Sequence, residues 1–225
     1  MEIEHAIQIK NLSKNFGNHT VIENLNLNIE AGKITAILAP SGAGKTTLLR
    51  LIAGLDKPTS GKIFVDGKEV VEIPRNLGFM FQENSVFGWL SVRKNIEFGL
   101  NLTVNKKQTI YENKWTLVEN IAELVGISNF LDYFPSQLSG GQKQRVVIAR
   151  SLILNPKIII CDEPFSALDE KSREELRQLV LNIQREFGNT VVFITHNTEE
   201  ADFLGDYVLL CSTLPMSVFK IKNRI

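Results

Sequence analysis

Apolar and polar residues alternate through most of the first third of the chain. In AIQIKNLSKNF (6–16), TVIENLNLNI (20–29) and GKIFVDGKEV (61–70) the period is close to two, with Gly, Asn or Asp at the ends. A period of two is that of a strand, so these runs predict a largely antiparallel layer. The pattern then changes. KITAILAPSGAGKTTLLRLIAGL (33–55) reads as a strand, a glycine loop and a helix ending near Gly54, and PKIIICDE (156–163) and NTVVFITH (189–196) are β-branched runs. Two segments of helical period flank them, GGQKQRVVIARSLIL (140–154) and EKSREELRQLVLNIQREFG (170–188). In the second, Leu176, Leu179, Val180, Ile183 and Phe187 make one apolar stripe. Strand, helix, strand, helix, strand predicts a parallel α/β core.

The middle, about 86–135, follows neither pattern. TLVENIAELVGI (116–127) predicts a helix bearing Leu117, Ile121, Leu124 and Val125, and its surroundings are polar, aromatic and irregular. A separate domain of roughly fifty residues would have a very small core. The segment therefore reads as a mostly helical insertion in one domain spanning 1–225, whose core is about 1–85 and 136–225.

Composition narrows the class. Lys plus Arg equals Asp plus Glu at 25 each, so no basic excess calls for nucleic acid as a partner. The two cysteines, Cys161 and Cys211, sit in apolar runs and read as small core residues, with neither a metal-ligand spacing nor a disulfide framework. The N-terminus lacks the pattern of a signal peptide, and no apolar run approaches the roughly 18 residues of a membrane span. A reducing, cytoplasmic setting is expected.

Three motifs each follow a strand, and in an open parallel sheet such positions share the carboxyl edge, where ligands bind. The first is Ala39-Pro40-Ser41-Gly42-Ala43-Gly44-Lys45-Thr46-Thr47, close to the phosphate-loop pattern G-x-x-x-x-G-K-[S/T] but with Ala39 at its first position. Gly42 and Gly44 let N–H groups turn toward phosphate oxygens, Lys45 supplies a point charge for the β- and γ-phosphates, and Thr46 supplies a hydroxyl for Mg²⁺. Ala39 is harmless if its φ is negative and strained if it is positive. The second motif is Asp162-Glu163, one carboxylate for the metal and one for the attacking water, provided the strand alternation breaks between them; Pro164 favours that break. The third is His196, either a core-edge histidine bonded to backbone or a contact to the γ-phosphate.

LSGGQKQR (138–145) is a second glycine motif. Ser139, Gly140 and Gly141 open a helix, and Gln142 three residues after Ser139 fits a capping box. A box alone leaves two glycines in a helix start unexplained.

With these motifs in order, the chain from about Ile7 to Pro215 resembles the ATP-binding subunit of an ABC transporter. The resemblance rests on the phosphate loop at 39–46, Gln82 in FMFQEN, LSGGQ at 138–142, IIICDE at 158–163, SALD at 166–169 and His196. It implies a P-loop NTPase core of the ABC ATPase type, with an N-terminal antiparallel β layer and a helical insertion. It implies ATP and Mg²⁺ as ligands, Phe16 stacked on adenine, and Glu163, Lys45, Gln82 and His196 as catalytic groups. Thr46, Gln82 and Asp162 would hold the metal. It further implies a head-to-tail dimer of two copies in which Ser139, Gly140, Gly141 and Gln142 act on the partner's ATP. A membrane permease beside the insertion, and indirectly an extracytoplasmic solute-binding protein, would complete the system at the cytoplasmic face of the membrane.

Trp89 in SVFGWLSVRKNIEFGL and the tail FLGDYVLLCSTLPMSVFKI resemble the nitrate, sulfonate and taurine importers, a broad group that includes carriers of thiamine precursors. An ABC ATPase that drives a non-transport membrane complex is the other class the motifs admit.

Overall fold

A computed structural model describes residues 4–80, 86–102, 114–166, 168–211, 215–216 and 218–223. The alternating N-terminal runs form β1 (His5–Phe16) and β2 (His19–Glu30), and the third run divides into β4 (Ser60–Val65) and β5 (Lys68–Glu69). Asp66 and Gly67, both at positive φ, form the two-residue turn between β4 and β5. These four strands make an antiparallel sheet in the order β2-β1-β4-β5.

A second, six-stranded sheet contains β3 (Ile34–Leu38), β6 (Leu77–Met80), β7 (Ile158–Asp162), β8 (Thr190–Thr195), β9 (Tyr207–Cys211) and β10 (Val218–Asn223), in the order β10-β9-β3-β8-β7-β6. Its strands run parallel except β10, which returns antiparallel along β9. The central strands are buried on both faces, as their unbroken apolar runs require.

Alternation within those runs feeds two cores. Ile158 and Ile160 join Ile37, Val192 and Ile194 on the face toward the antiparallel sheet. Ile159 and Cys161 join Ala36, Val191 and Phe193 on the other face. Helix α1 (Lys45–Ile52) lies in the first core, with Leu48, Leu49, Leu51 and Ile52 all buried. Each such side chain contributes about 1.5–3 kcal/mol of burial, so α1 is held rigidly behind the loop that precedes it. Against the second core pack α2 (Val92–Leu102), α3 (Lys114–Leu124), α4 (Gly140–Leu152), α5 (Glu170–Phe187) and α6 (Thr198–Leu204).

Two predicted stripes shift on contact with this core. In α3 the buried residues are Val118 and Ala122, followed by Val125, whereas Leu117 is exposed and Ile121 and Leu124 are only partly covered. On α5, Leu176 and Ile183 are buried as expected, Leu179 and Val180 pack at the margin, and Phe187 is exposed. Both cysteines are buried, and desolvation pushes their thiols up to about 12 for Cys161 and about 11 for Cys211, which leaves them inert.

Candidate nucleotide site

Sheet order brings the three motifs together. β8 lies between β3 and β7, with Leu38 beside Thr195 and Asp162 beside Ile194. Past the strand ends the backbone stays tied: Ala39 N–H donates to Thr195 O (3.4 Å) and Glu163 N–H to Ile194 O (3.0 Å). His196 thus emerges between the phosphate loop and the acidic pair.

Gly42 (φ 79°) and Gly44 (φ 90°) adopt left-handed conformations. At Gly44 a Cβ would also sit 2.6 Å from Val21 Cγ1, so glycine is required there on two counts. Gly44 caps α1 without a side-chain acceptor, which leaves the first N–H groups of the helix to an external anion. Ser41, Gly42, Gly44, Lys45, Thr46 and Thr47 line a cavity of about 380 Å³ together with His19, Val21 and Glu163. Lys45 is buried. Its Nζ donates to the carbonyls of Ala39 (3.1 Å) and Pro40 (3.0 Å) and lies 3.3 Å from Glu163 Oε1.

Ala39 is absent from the positive-φ positions, and its methyl packs in the core with Ala43. The alternative of strain is therefore removed: alanine fits the first position of the loop. Ala39→Gly is expected to leave ATP affinity within a few-fold and to lower stability by about 1–2 kcal/mol, from the lost methyl and the added backbone freedom. Denaturant unfolding and nucleotide titration check the two halves. A hundredfold change in affinity, about 2.7 kcal/mol, would contradict this reading of the bend.

The acidic pair divides because the strand ends between its members. Asp162 is the last residue of β7 and is buried, its Oδ2 accepting from Thr46 Oγ1 at 2.6 Å. Its Oδ1 is buried and, among the described residues, accepts no hydrogen bond. Burial pushes this carboxyl above its ordinary value; the Thr46 hydrogen bond opposes that, the Glu163 charge adds to it, and Lys45 offsets it. A buried carboxylate oxygen without a partner, next to a threonine hydroxyl, is a donor set that fits Mg²⁺, a hard cation that takes oxygen ligands.

Glu163 has φ 46°, a left-handed conformation for a residue with a Cβ. Such backbone strain costs on the order of 1–3 kcal/mol. The turn is held by Ser166, whose N–H (3.3 Å) and Oγ (3.1 Å) both donate to Glu163 O. The break in alternation keeps both carboxylates at the phosphate loop: Glu163 Oε1 faces Lys45, next to the Thr46 that holds Asp162, and Oε2 lies 3.3 Å from His196 Nδ1. The His196 side chain is 55% exposed, which excludes the core-edge reading.

Other predicted residues lie apart. Ser139 caps α4 and forms the capping box: Gln142 N–H donates to Ser139 Oγ (3.3 Å) and Ser139 N–H to Gln142 Oε1 (2.8 Å). Gly141 has a reason within the chain, because a Cβ there would meet Ser172 Oγ at 3.0 Å. None of Ser139, Gly140, Gly141 and Gln142 lines the cavity. Phe16 ends β1, half exposed, with Lys14 Nζ 4.8 Å from its ring centre. It does not line the cavity, but its strand partner His19 does. His19 gave no sequence signal beyond its place at the start of β2. Gln82 lies outside the described residues.

The insertion carries a further feature that sequence did not reveal. Asn95 is fully buried on α2, donates through Nδ2 to the carbonyls of Phe87, Leu90 and Ser91, and accepts from Phe87 N–H. It pins the loop whose tip presents Trp89, 76% exposed.

A glycine loop opening a buried helix, a metal-type carboxylate and a second carboxylate under a histidine, all on one sheet edge, define a P-loop nucleotide-binding α/β protein. The family profile described as ABC transporter matches residues 22–166. The chain belongs to that family. It is 44% identical over 91% of its length to the sulfate/thiosulfate import ATP-binding protein CysA of Synechococcus elongatus. It is 42% identical over 93% of its length to the Fe(3+) ions import ATP-binding protein FbpC of Photorhabdus laumondii. The chain spans 59% and 60% of the length of these two relatives. Among solved structures, the dimeric bacterial ABC transporter cassette MJ0796 superposes with a TM-score of 0.84 at 33% identity, covering 96% of this chain and 98% of that one. The cbiO1 protein of Clostridium perfringens, part of the cbiONQ transporter complex, gives 0.85 at 29% identity, covering 98% and 89%.

Proposed function

We propose that the chain hydrolyses Mg-ATP to drive import of a small solute through a membrane permease. The observation that carries the hydrolytic half is the left-handed turn at Glu163, which sets one carboxylate between Lys45 and His196 while Asp162 stays bonded to Thr46. The phosphates would lie in the cavity, against the N–H groups of the loop and α1, with Lys45 exchanging Glu163 for phosphate oxygens. Thr46 and Asp162 would hold Mg²⁺, which when bound neutralises charge on the phosphate oxygens. Glu163 would then orient the attacking water and take its proton, and His196 would steady the γ-phosphate end. Gln82 and Phe16 keep their proposed roles, at the metal and at the adenine.

Ser139, Gly140, Gly141 and Gln142 open a helix away from the cavity, so they complete a site only if a second copy supplies them head to tail. Pair a Ser139→Arg subunit with a Glu163→Gln subunit. In the head-to-tail dimer both lesions fall at one site and the other site is intact. The tagged heterodimer should therefore hydrolyse ATP faster than either single-variant homodimer. Activity no greater than theirs would contradict action in trans.

The permease contact is proposed at Trp89, held out by Asn95 in the insertion. Among the described residues no helix is long and apolar enough to cross a membrane. An association with the cytoplasmic face through such a partner fits that. For the solute, the relatives named for sulfate/thiosulfate and ferric iron favour sulfate, thiosulfate or ferric iron over the nitrate, sulfonate and taurine group expected from Trp89 and the tail. Uptake of labelled sulfate, ferric iron, nitrate and taurine by cells with and without the chain tests this. Loss of sulfate or iron uptake supports the sulfate-or-iron reading, and loss of nitrate or taurine uptake alone overturns it.

A further inference from the structure

Glu200 is 4% exposed and does not line the cavity. Its Oε2 accepts from Thr195 Oγ1 at 2.6 Å, and the same hydroxyl accepts from Asn197 N–H at 3.0 Å. The residues on both sides of His196 are thereby tied to one buried carboxylate. The other oxygen, Oε1, lies 3.8 Å from Arg173 Nε on α5. Arg173 spreads its remaining nitrogens outward: Nη1 donates to Glu170 Oε2 (2.6 Å) and Nη2 to the Leu168 carbonyl (2.8 Å). Leu168 belongs to the short segment that runs from Glu163 into α5, and Ser166 of that segment bonds back to Glu163 O. Thr195, beside His196, is thus linked through Glu200 and Arg173 to Leu168, and Ser166 bonds back to Glu163.

A buried acid paired with a mostly covered guanidinium is a poor way to hold two helices together. Desolvating them offsets their attraction, and apolar groups of equal volume often serve as well or better. The contact is also incomplete: at 3.8 Å it is an ion pair rather than a hydrogen bond, and Arg173 Nε, buried, makes none among the described residues. We infer that Arg173 and Glu200 are positioning residues that set the His196 imidazole against the Glu163 carboxylate. They couple Leu168 to the residues beside the histidine. This rests on the reading of Glu163 and His196 as the hydrolytic groups.

The chain has three histidines, His5, His19 and His196, so the imidazole resonances are few enough to follow singly. In Glu200→Gln and in Arg173→Lys the His196 resonance should move while those of His5 and His19 stay. Lysine keeps the charge of arginine but cannot reach Leu168 O and Glu200 together. Both variants should lower kcat roughly 10- to 100-fold, the scale of a misplaced reacting group, with KM for ATP within about threefold. In a His196→Ala background neither should lower kcat further. An unmoved His196 resonance, an unchanged kcat, or the same fractional loss with and without His196 overturns the inference. Should Glu200→Gln fail to fold, Arg173→Lys decides, because its side chain is partly exposed and the substitution leaves no buried charge unpaired. If His196→Ala itself hydrolyses at the parental rate, the role assigned to His196 falls and this inference with it. Loss in His196→Ala combined with additive effects at Glu200 sinks the positioning role alone.

Discussion

Glu163→Gln should lower ATP hydrolysis by about 10²–10⁴-fold, the worth of a positioned general base, and leave ATP binding intact. Glutamine keeps the size of the side chain and can still bond Lys45 and His196, so the turn at φ 46° and the ties from Ser166 survive. The proton acceptor and its charge are what is lost. Asp162 does not substitute, since it is buried and held by Thr46. Binding would draw on the loop N–H groups, Lys45 and the partner's Ser139 end; of these the change touches only the contact to Lys45, which keeps its charge. The variant should accumulate as an ATP-bound dimer.

Lys45→Met should do the opposite and remove binding. A charge-assisted hydrogen bond contributes about 1.5–3 kcal/mol, so losing two to the phosphates lowers affinity by about two orders of magnitude or more. Methionine is the better probe than alanine because Lys45 is buried and its stem fills space. The carbonyls of Ala39 and Pro40 lose their donor and Glu163 loses its cation, so stability should fall as well, by about 1–3 kcal/mol. Titration with a fluorescent ATP analogue, alongside a thermal melt, separates the two effects. A folded variant with parental affinity would contradict the placement of the phosphates.

The strands that build the site were legible because parallel strands buried on both faces leave long β-branched runs, as in IIIC and TVVFIT. β6 was not. It is four residues long, contains Gly78, and is defined by pairing with β7 across about eighty residues of sequence. The glycine there is set by tertiary contact, since a Cβ would stand 3.1 Å from Pro156 and from Ser151 O. The α3 stripe was misjudged for a similar reason: periodicity proposes a face, but the packing partner chooses it, and here it chose Val118 and Ala122. Phosphate loop, acidic pair and histidine could be read from type and spacing. The turn that lets Asp162 and Glu163 serve one site needed a φ value, and Asn95, His19 and the Arg173–Glu200 pair needed coordinates.

The central claim is that Glu163 performs hydrolysis at a site completed by a second copy. Its most direct test is the nucleotide content of the dimer fraction of Glu163→Gln after incubation with Mg-ATP and gel filtration. The account predicts a dimer holding ATP. A dimer holding ADP, with phosphate released at the parental rate, would contradict it.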